Sequence, residues 1–249
     1  MNDMISIKNI NKSYHTKNGE IKAIDDFSLD INLGSVISIV GPSGCGKSTI
    51  LSILANIDND YQGTILGMSN FKYAYMLQHD ALLPHLTIYE NCLLGLKIKN
   101  LLTIDNINYV NSLLKLYNLE EFKNNYPKSL SGGMKQRVAL IRTLATKPDL
   151  LLLDEPFCAL DEQSRLLITN DIYKIIKKEK KTVILVTHNM EEAITLSDKV
   201  VVLTNRPAKI KNIIDIKLEN ESSVYERRKD KLFNYYFDLI WKELDNYES

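Results

Sequence analysis

Gly41-Pro42-Ser43-Gly44-Cys45-Gly46-Lys47-Ser48-Thr49 dictates the architecture of this chain. It fits the pattern G-x-x-x-x-G-K-[ST] at Gly41, Gly46, Lys47 and Ser48, a loop built to hold polyphosphate. Glycines let the backbone turn tightly enough for successive N–H groups to face one anion, and the helix after them opens with unpaired N–H groups and a positive dipole end. All nine residues are candidate phosphate contacts. Lys47 is placed to reach the β- and γ-phosphates, and the Ser48 hydroxyl to ligate Mg2+. The flanks agree with this reading. Val36 to Val40 reads as a buried β-branched strand and Ser48 to Asn56 as a helix, so the loop joins strand to helix as the pattern requires.

Around this loop, 249 residues suit one α/β unit with an inserted or appended subdomain, a single functional module. Lys plus Arg and Asp plus Glu both number 31, so no net field draws the chain to nucleic acid or anionic lipid, and no nucleic-acid partner is expected. The start, Met1-Asn2-Asp3-Met4-Ile5-Ser6, is neither basic nor followed by a long apolar segment, so no secretory signal is expected. Apolar runs such as Leu150 to Leu153 are strand-sized, far short of the ~20 residues that span a bilayer. The chain itself is expected to be soluble. Cys45, Cys92 and Cys158 lack metal-ligand spacing and are odd in number, which suits a reducing cytoplasm without disulfides.

Before the loop, Ile5 to Ile10 and Ile24 to Ile31 partly alternate apolar with polar, as half-exposed antiparallel strands do, and Lys17-Asn18-Gly19-Glu20 reads as the hairpin turn between them. Tyr14 falls just before that turn on a solvent-facing edge. Its ring is either incidental or a stacking surface for a base. After the loop, Gly63 to Gly67 and Tyr73 to Leu77 read as short strands, the second ending at Gln78. A helix-rich region comes next, in which Thr87 and Glu90 form a capping box, Asp105 caps the next helix, and Val110, Leu113, Leu114 and Tyr117 make its apolar stripe. Leu150 to Leu153 and Val183 to Val186 return to the continuous apolar character of buried parallel strands, with Glu162 to Lys178 as the crossover helix. Strand signals recur at Val200 to Leu203 and Ile210 to Leu218. Beyond a polar break, Leu232, Phe233, Tyr236, Phe237, Ile240, Trp241 and Leu244 recur at helical spacing, the mark of a helix that packs on the chain's own body or meets a partner.

Two further stretches carry chemistry. Leu150-Leu151-Leu152-Leu153-Asp154-Glu155 delivers two adjacent carboxylates at the C-terminal end of a strand, where α/β sheets hold ligands. Because strand side chains alternate, the two are expected to point apart: Asp154 to the metal, Glu155 to the attacking water as general base or orienting group. Leu130-Ser131-Gly132-Gly133-Met134-Lys135-Gln136-Arg137 places a hydroxyl and two glycines at the start of an apolar helix, a second anion-binding N-terminus in one chain.

With Gln78, Asp161 and His188, these stretches closely resemble the ATP-binding-cassette (ABC) ATPases from about Ile5 to Ile216. The resemblance implies an α/β fold: a P-loop NTPase (RecA-like) core over residues 1–78 and 147–218, with an N-terminal antiparallel β subdomain, an inserted helical subdomain over 79–146 carrying the signature stretch, and a helical tail over 219–249. It implies that Mg2+ accompanies ATP as substrate, held by Ser48, Gln78 and Asp154. Glu155, His188 and Gln78 are the implied catalytic residues and Tyr14 with Gly41 to Thr49 the implied ATP contacts. Ser131, Gly132 and Gly133 are implied to close in trans over the γ-phosphate bound by a second copy, with Asp161 facing the dimer partner.

Ala81-Leu82-Leu83-Pro84, Asp154 to Phe157 with Ala159-Leu160-Asp161, and Val200 to Pro207 look like the ATPase subunits of nitrate, sulfonate and taurine importers. His85 and Cys158 depart from that pattern, where tryptophan and glycine are common. The implied partners are separate transmembrane permease subunits and, indirectly, a solute-binding protein, and the implied location is cytoplasmic, peripheral on the inner face of the cell membrane. A soluble ABC protein of DNA repair or translation is a rival reading; such proteins usually carry a long coiled-coil insertion, two cassettes or a basic surface, none of which appears. A phosphotransferase built on the loop would leave Ser131-Gly132-Gly133 unexplained.

Overall fold

A computed structural model describes residues 4–17 and 19–245; the start at 1–3, Asn18 of the expected hairpin turn and the last four residues of the tail lie outside the described residues. Two long strands, β1 (Met4–Thr16) and β2 (Gly19–Asn32), form an antiparallel pair, and β4 (Gln62–Leu66), which comes after β3 (Val36–Val40) and helix α1 (Lys47–Leu54), joins the far side of β1. Both strands extend beyond the stretches whose alternation marks them, because register shifts between Ile7 and Ile10 and again up to Ser13 interrupt the period. Asn9 and Asp26 take positive φ at these irregularities and bond side chain to side chain at 2.7 Å, so the bulge is held by its own polar groups.

The second sheet has the order β5-β6-β7-β3-β8-β9, with β5 (Tyr73–Met76), β6 (Leu150–Asp154), β7 (Thr182–Val186) and β8 (Lys199–Leu203) parallel to β3 and β9 (Ile210–Asp215) antiparallel at the edge. Continuous apolar strands are what a sheet covered on both faces demands. Leu151 and Leu153 of β6 join a core with the inserted helices, while Leu150 and Leu152 join a separate core with α1 and the antiparallel sheet.

Between β5 and β6 lie α2 (Ile88–Ile98), α3 (Ile104–Leu116) and α4 (Gly132–Ala145). The Thr87–Glu90 capping box is present: Glu90 N donates to Thr87 Oγ1 at 3.2 Å and Thr87 N to Glu90 Oε2 at 2.8 Å. The next cap differs from expectation. Thr103 accepts from Asn106 N, and Asp105 sits inside the first turn, where its charge still suits the helix dipole. Thr and Asp both carry a side-chain oxygen able to cap, so residue type alone does not decide between positions this close. The crossover helix α5 (Glu162–Glu179) returns the chain to β7, and α6 (Met190–Leu196) leads to β8.

After β9 come a short helix, α7 (Val224–Arg228), and α8 (Phe233–Asp245). Phe233, Tyr236 and Ile240 of α8 are buried with Val40, Val200, Val202 and Ile194 in a third apolar cluster. Of the two readings left open for this tail, packing on the chain's own body is the one the structure displays. Arg227 anchors the connection: it is buried, and its guanidinium donates to Ser197 O at 2.9 Å.

The tail therefore contributes to stability through one face only. Ile240 is 0 % exposed and Trp241 52 %. Ile240→Ala is expected to cost about 2–5 kcal/mol by removing buried volume, whereas Trp241→Ala should stay within about 1 kcal/mol. Chemical denaturation of the two variants checks this; equal losses would mean that the outer face of α8 is also covered.

Candidate functional site

Strand register assembles the site. Ile39 of β3 is opposite Val186 of β7, and Asp154 of β6 is opposite the same Val186, so three parallel strands end at one level. The segments that leave these strands emerge side by side: the loop after Val40, Glu155 after Asp154, and Thr187-His188 after Val186. The carboxyl edge of a parallel sheet is where such folds place ligands.

The loop closes on itself. Gly44 and Gly46 take φ of +70° and +131°, conformations that favour glycine. At Gly46 a Cβ would lie 2.9 Å from the Ala23 carbonyl oxygen, so β2 packs against the loop there and leaves no room for a side chain. Lys47 Nζ donates to Gly41 O and Pro42 O at 2.8 and 2.9 Å, which holds the ammonium across the bow of the loop. Cys45 is buried, and burial raises its thiol. The open cleft over the loop is lined by Ser43, Gly44, Lys47, Ser48, Gln78 and Glu155, among others.

Glu155 is the meeting point. Its Oε2 lies 3.2 Å from His188 Nδ1 and accepts from Gln78 Nε2 at 3.3 Å. Residues from two other segments thus converge on one carboxylate oxygen. Glu155 and Asp154 do diverge, but strand alternation is not the cause. β6 ends at Asp154, and Glu155 turns out of the strand at φ +46°, a left-handed conformation that costs a non-glycine residue on the order of 1–3 kcal/mol. Its backbone is held there from both sides: Glu155 N donates to Val186 O at 2.8 Å, and Glu155 O accepts from Gln136 Nε2 at 3.1 Å.

Asp154 is 2 % exposed and accepts from the Tyr75 hydroxyl at 3.3 Å, and the Ser48 hydroxyl also bonds to it. Burial raises its pKa, the Ser48 hydrogen bond opposes this, and the neighbouring Glu155 charge adds to the rise. Tyr75 is pushed up to about 12, chiefly by its own burial. One oxygen, Asp154 Oδ1, is buried without a hydrogen-bond partner. An orphaned hard oxygen beside a serine hydroxyl fits the oxygen donors that a Mg2+ shared with phosphate would take. Among the described residues no group of three or more His, Cys, Asp or Glu could hold a metal ion.

Ser131 is the N-cap of α4 and accepts from Met134 N; Gly132 and Gly133 form the first turn. A Cβ on Gly133 would lie 3.2 Å from Leu160 Cδ2, so this helix start is seated on the segment before Asp161. None of these three residues lines the cleft over the loop. Asp161 caps α5 by accepting from Ser164 N at 2.9 Å, and hydrogen bonds from Ser164 lower its pKa. Tyr14 stands beside the loop's helix, its hydroxyl 3.4 Å from Thr49 Oγ1. His85 and Cys158 are both exposed, and Cys158 Sγ lies 3.5 Å from Gln136 Nε2.

Several further residues build the site beyond those expected from the sequence. Gln136 bonds through Nε2 to Glu155 O and through Oε1 to Ala159 N, bracing the acidic turn from the signature helix. Arg142 donates to the carbonyls of Asp80 and Ala81, and buried Asn91 bonds Leu83, Leu86 and Thr87, so the segment after Gln78 is shaped by α4 and α2. Arg206 donates to Gly44 O through Nε and Nη2. Its loop is stitched to β2 by Ala208 N to Ala23 O and Asp25 N to Ala208 O. For Gln136 and Asn91 there was a local signal, a polar residue on the apolar face of a helix.

Comparison with known proteins places these features in context. Residues 24–158 match the family model described as ABC transporter. An ABC transporter ATP-binding protein of Bacillus subtilis (strain 168) is 40% identical, over 98% of this chain and 97% of its own length. An aliphatic sulfonates import ATP-binding protein of Bacillus cereus (strain ZK / E33L) is 36% identical, over 96% of this chain and 99% of its own. Among solved structures, a dimeric ATP-binding cassette in a post-hydrolysis state, bound to ADP and Pi, has a TM-score of 0.78 at 29% identity, covering 86% of this chain and 99% of that one.

The raised pKa of Asp154 has a sign that can be tested. A buried carboxyl that holds its proton more tightly folded than unfolded costs stability as pH rises from the ordinary carboxylate range through the raised value. Asp154→Asn removes that cost. The variant is expected to melt above the wild type near neutral pH without added metal, with the difference vanishing in acid; a lower melting temperature at neutral pH would contradict it.

Proposed function

Because this chain belongs to the ABC transporter family and is an ATPase of that family, we propose that it powers a membrane importer, with a small anion such as a sulfonate, taurine or nitrate as the cargo. The observation that carries the mechanism is the convergence of Gln78 and His188 on Glu155 Oε2, at the mouth of a loop that fits polyphosphate.

In this reading Gly41 to Thr49 hold the phosphates of ATP, with Lys47 turning from the loop carbonyls to phosphate oxygens. Ser48, Asp154 and the Gln78 side chain would hold Mg2+, which neutralises charge on the phosphate oxygens when bound. Glu155 orients the attacking water and takes its proton; His188 keeps the carboxylate in place and faces the γ-phosphate. Tyr14 offers its ring to the base. Ser131, Gly132 and Gly133 lie away from the loop of their own chain and act on the γ-phosphate bound by a second copy, whose signature turn serves this one in return. Asp161, at the start of α5, faces that partner. ATP then holds two subunits together and hydrolysis releases them, which converts a chemical step into the opening and closing of a dimer.

Among the described residues no helix is long and apolar enough to cross a membrane. The transport path would therefore belong to separate permease subunits, met by the segment after Gln78, with a solute-binding protein delivering the cargo and this chain seated on the cytoplasmic face of the membrane. The sulfonate importer relative supports a small-anion cargo, and the identity of that anion rests with the permease and binding protein.

Glu155→Gln keeps both cradles and removes the proton acceptor. It is expected to bind ATP and dimerise while hydrolysis falls about 10²- to 10⁴-fold, read by size exclusion in saturating Mg-ATP alongside phosphate release. A variant that stays monomeric under those conditions contradicts the sandwich. Affinity purification from native membranes checks the transport role: an integral membrane protein should co-purify, and recovery of ribosomes or DNA in its place would favour the soluble non-transport reading.

A further inference from the structure

Beneath Tyr14 lies a charged cluster that hydrolysis chemistry does not use. Lys12 is only 4 % exposed, rare for a lysine without a function or a set of partners. Its three donors have three acceptors: Asp58 Oδ1 at 2.8 Å, Asp60 O at 2.6 Å and Asp60 Oδ2 at 3.3 Å. The ammonium also stands 4.8 Å from the centroid of the Tyr14 ring, within cation–π range. Asp58 uses its other oxygen, Oδ2, to accept from the Tyr14 hydroxyl at 3.2 Å. One carboxylate thus ties the cation and the phenol together. Burial works to raise Asp58, but the bonds from Lys12, the Asp60 backbone and Tyr14 outweigh it and hold the carboxyl below its ordinary value.

Tyr14 is 41 % exposed, and a ring so placed is ordinarily free to sample several rotamers. Here it is fixed at its tip by Asp58, with Thr49 of α1 alongside, and at its face by Lys12. We propose that Lys12 and Asp58 are positioning residues that set the affinity for the nucleotide base: they hold the Tyr14 ring in the stacking pose, and the ammonium draws π density to the face it covers. This has two physical effects. The ordering of the ring is done before the nucleotide arrives, so binding does not have to supply it. The outer face, depleted of electron density, becomes a better partner for an electron-rich purine. The same cluster joins β1 to the turn before β4, so a purely structural role is the rival. The inference rests on the reading of Tyr14 as a base platform.

The test separates base from phosphate. Metal-free ATP and inorganic tripolyphosphate, neither hydrolysed without Mg2+, are titrated calorimetrically into the wild type, Tyr14→Ala, Tyr14→Phe, Lys12→Met and Asp58→Asn. Tyr14→Ala should weaken ATP about tenfold or more and leave tripolyphosphate unchanged. Lys12→Met and Asp58→Asn should weaken ATP about two- to fivefold, again without effect on tripolyphosphate. Tyr14→Phe, which keeps the ring and loses the hydroxyl's ties to Asp58 and Thr49, should fall between wild type and Tyr14→Ala, and it keeps the test open should the charge variants not fold. If Tyr14→Ala binds ATP like the wild type, the base-platform reading itself fails. If it weakens ATP while Lys12→Met, Asp58→Asn and Tyr14→Phe do not, the platform stands and this inference is overturned. Equal losses of ATP and tripolyphosphate in the charge variants also overturn it, since the cluster then merely supports the loop.

Discussion

The parallel register of β6, β7 and β3 is the constraint from which the geometry of the site derives. With Asp154 and Ile39 both opposite Val186, three chain segments far apart in sequence leave the sheet at one level. Hydrogen bonding along a parallel ladder fixes that level to within one residue, because a slip would turn every buried side chain to the other face. The leucines of β6 alternate between two cores, and a one-residue slip would carry a flanking aspartate, Asp149 or Asp154, into a leucine position. Burial of apolar surface on both faces therefore also sets the alignment of Asp154, Glu155 and His188.

Rigid strand ends alone would leave the acidic turn underdetermined, and the structure adds braces from elsewhere. Glu155 occupies a left-handed backbone conformation, and it does so between a bond to β7 and a bond from Gln136 of α4. The helix that begins with Ser131-Gly132-Gly133 is thereby linked to the carboxylate that would act on the water. Arg142, from the same helix, holds the carbonyls of Asp80 and Ala81 just after Gln78. A displacement of α4 would reach both Gln78 and Glu155. The inserted helical region is thereby tied by hydrogen bonds to both sides of the cleft.

Much of this was legible in the chain. The loop pattern, the apolar strands, the Thr87 capping box and the apolar stripe of α3 are local signals, each set by a few neighbouring residues, and each is present. The misreadings are equally instructive. Asp105 is the expected cap of α3, and the helix instead starts two residues earlier, capped by Thr103. β1 and β2 run longer than their alternation because bulges hide the period. Asp154 and Glu155 diverge as expected, but through a backbone turn that period-two reasoning does not contain.

That this is a polyphosphate-holding α/β chain of the ABC family could be read from residue order, because glycine placement, strand hydrophobicity and helix starts are written in contiguous residues. Which groups share an atom was settled by the folded arrangement alone. Gln78 and His188 meet on Glu155 Oε2, Gln136 supports its backbone, Arg206 grips the loop at Gly44, and Lys12 sits beneath Tyr14. These partners come from different elements, and no local rule predicts which distant residue a sheet's register and a helix's packing will bring to within 3 or 4 Å. The loop of Gly41 to Thr49 marks where chemistry is held; the fold decides what is arranged around it.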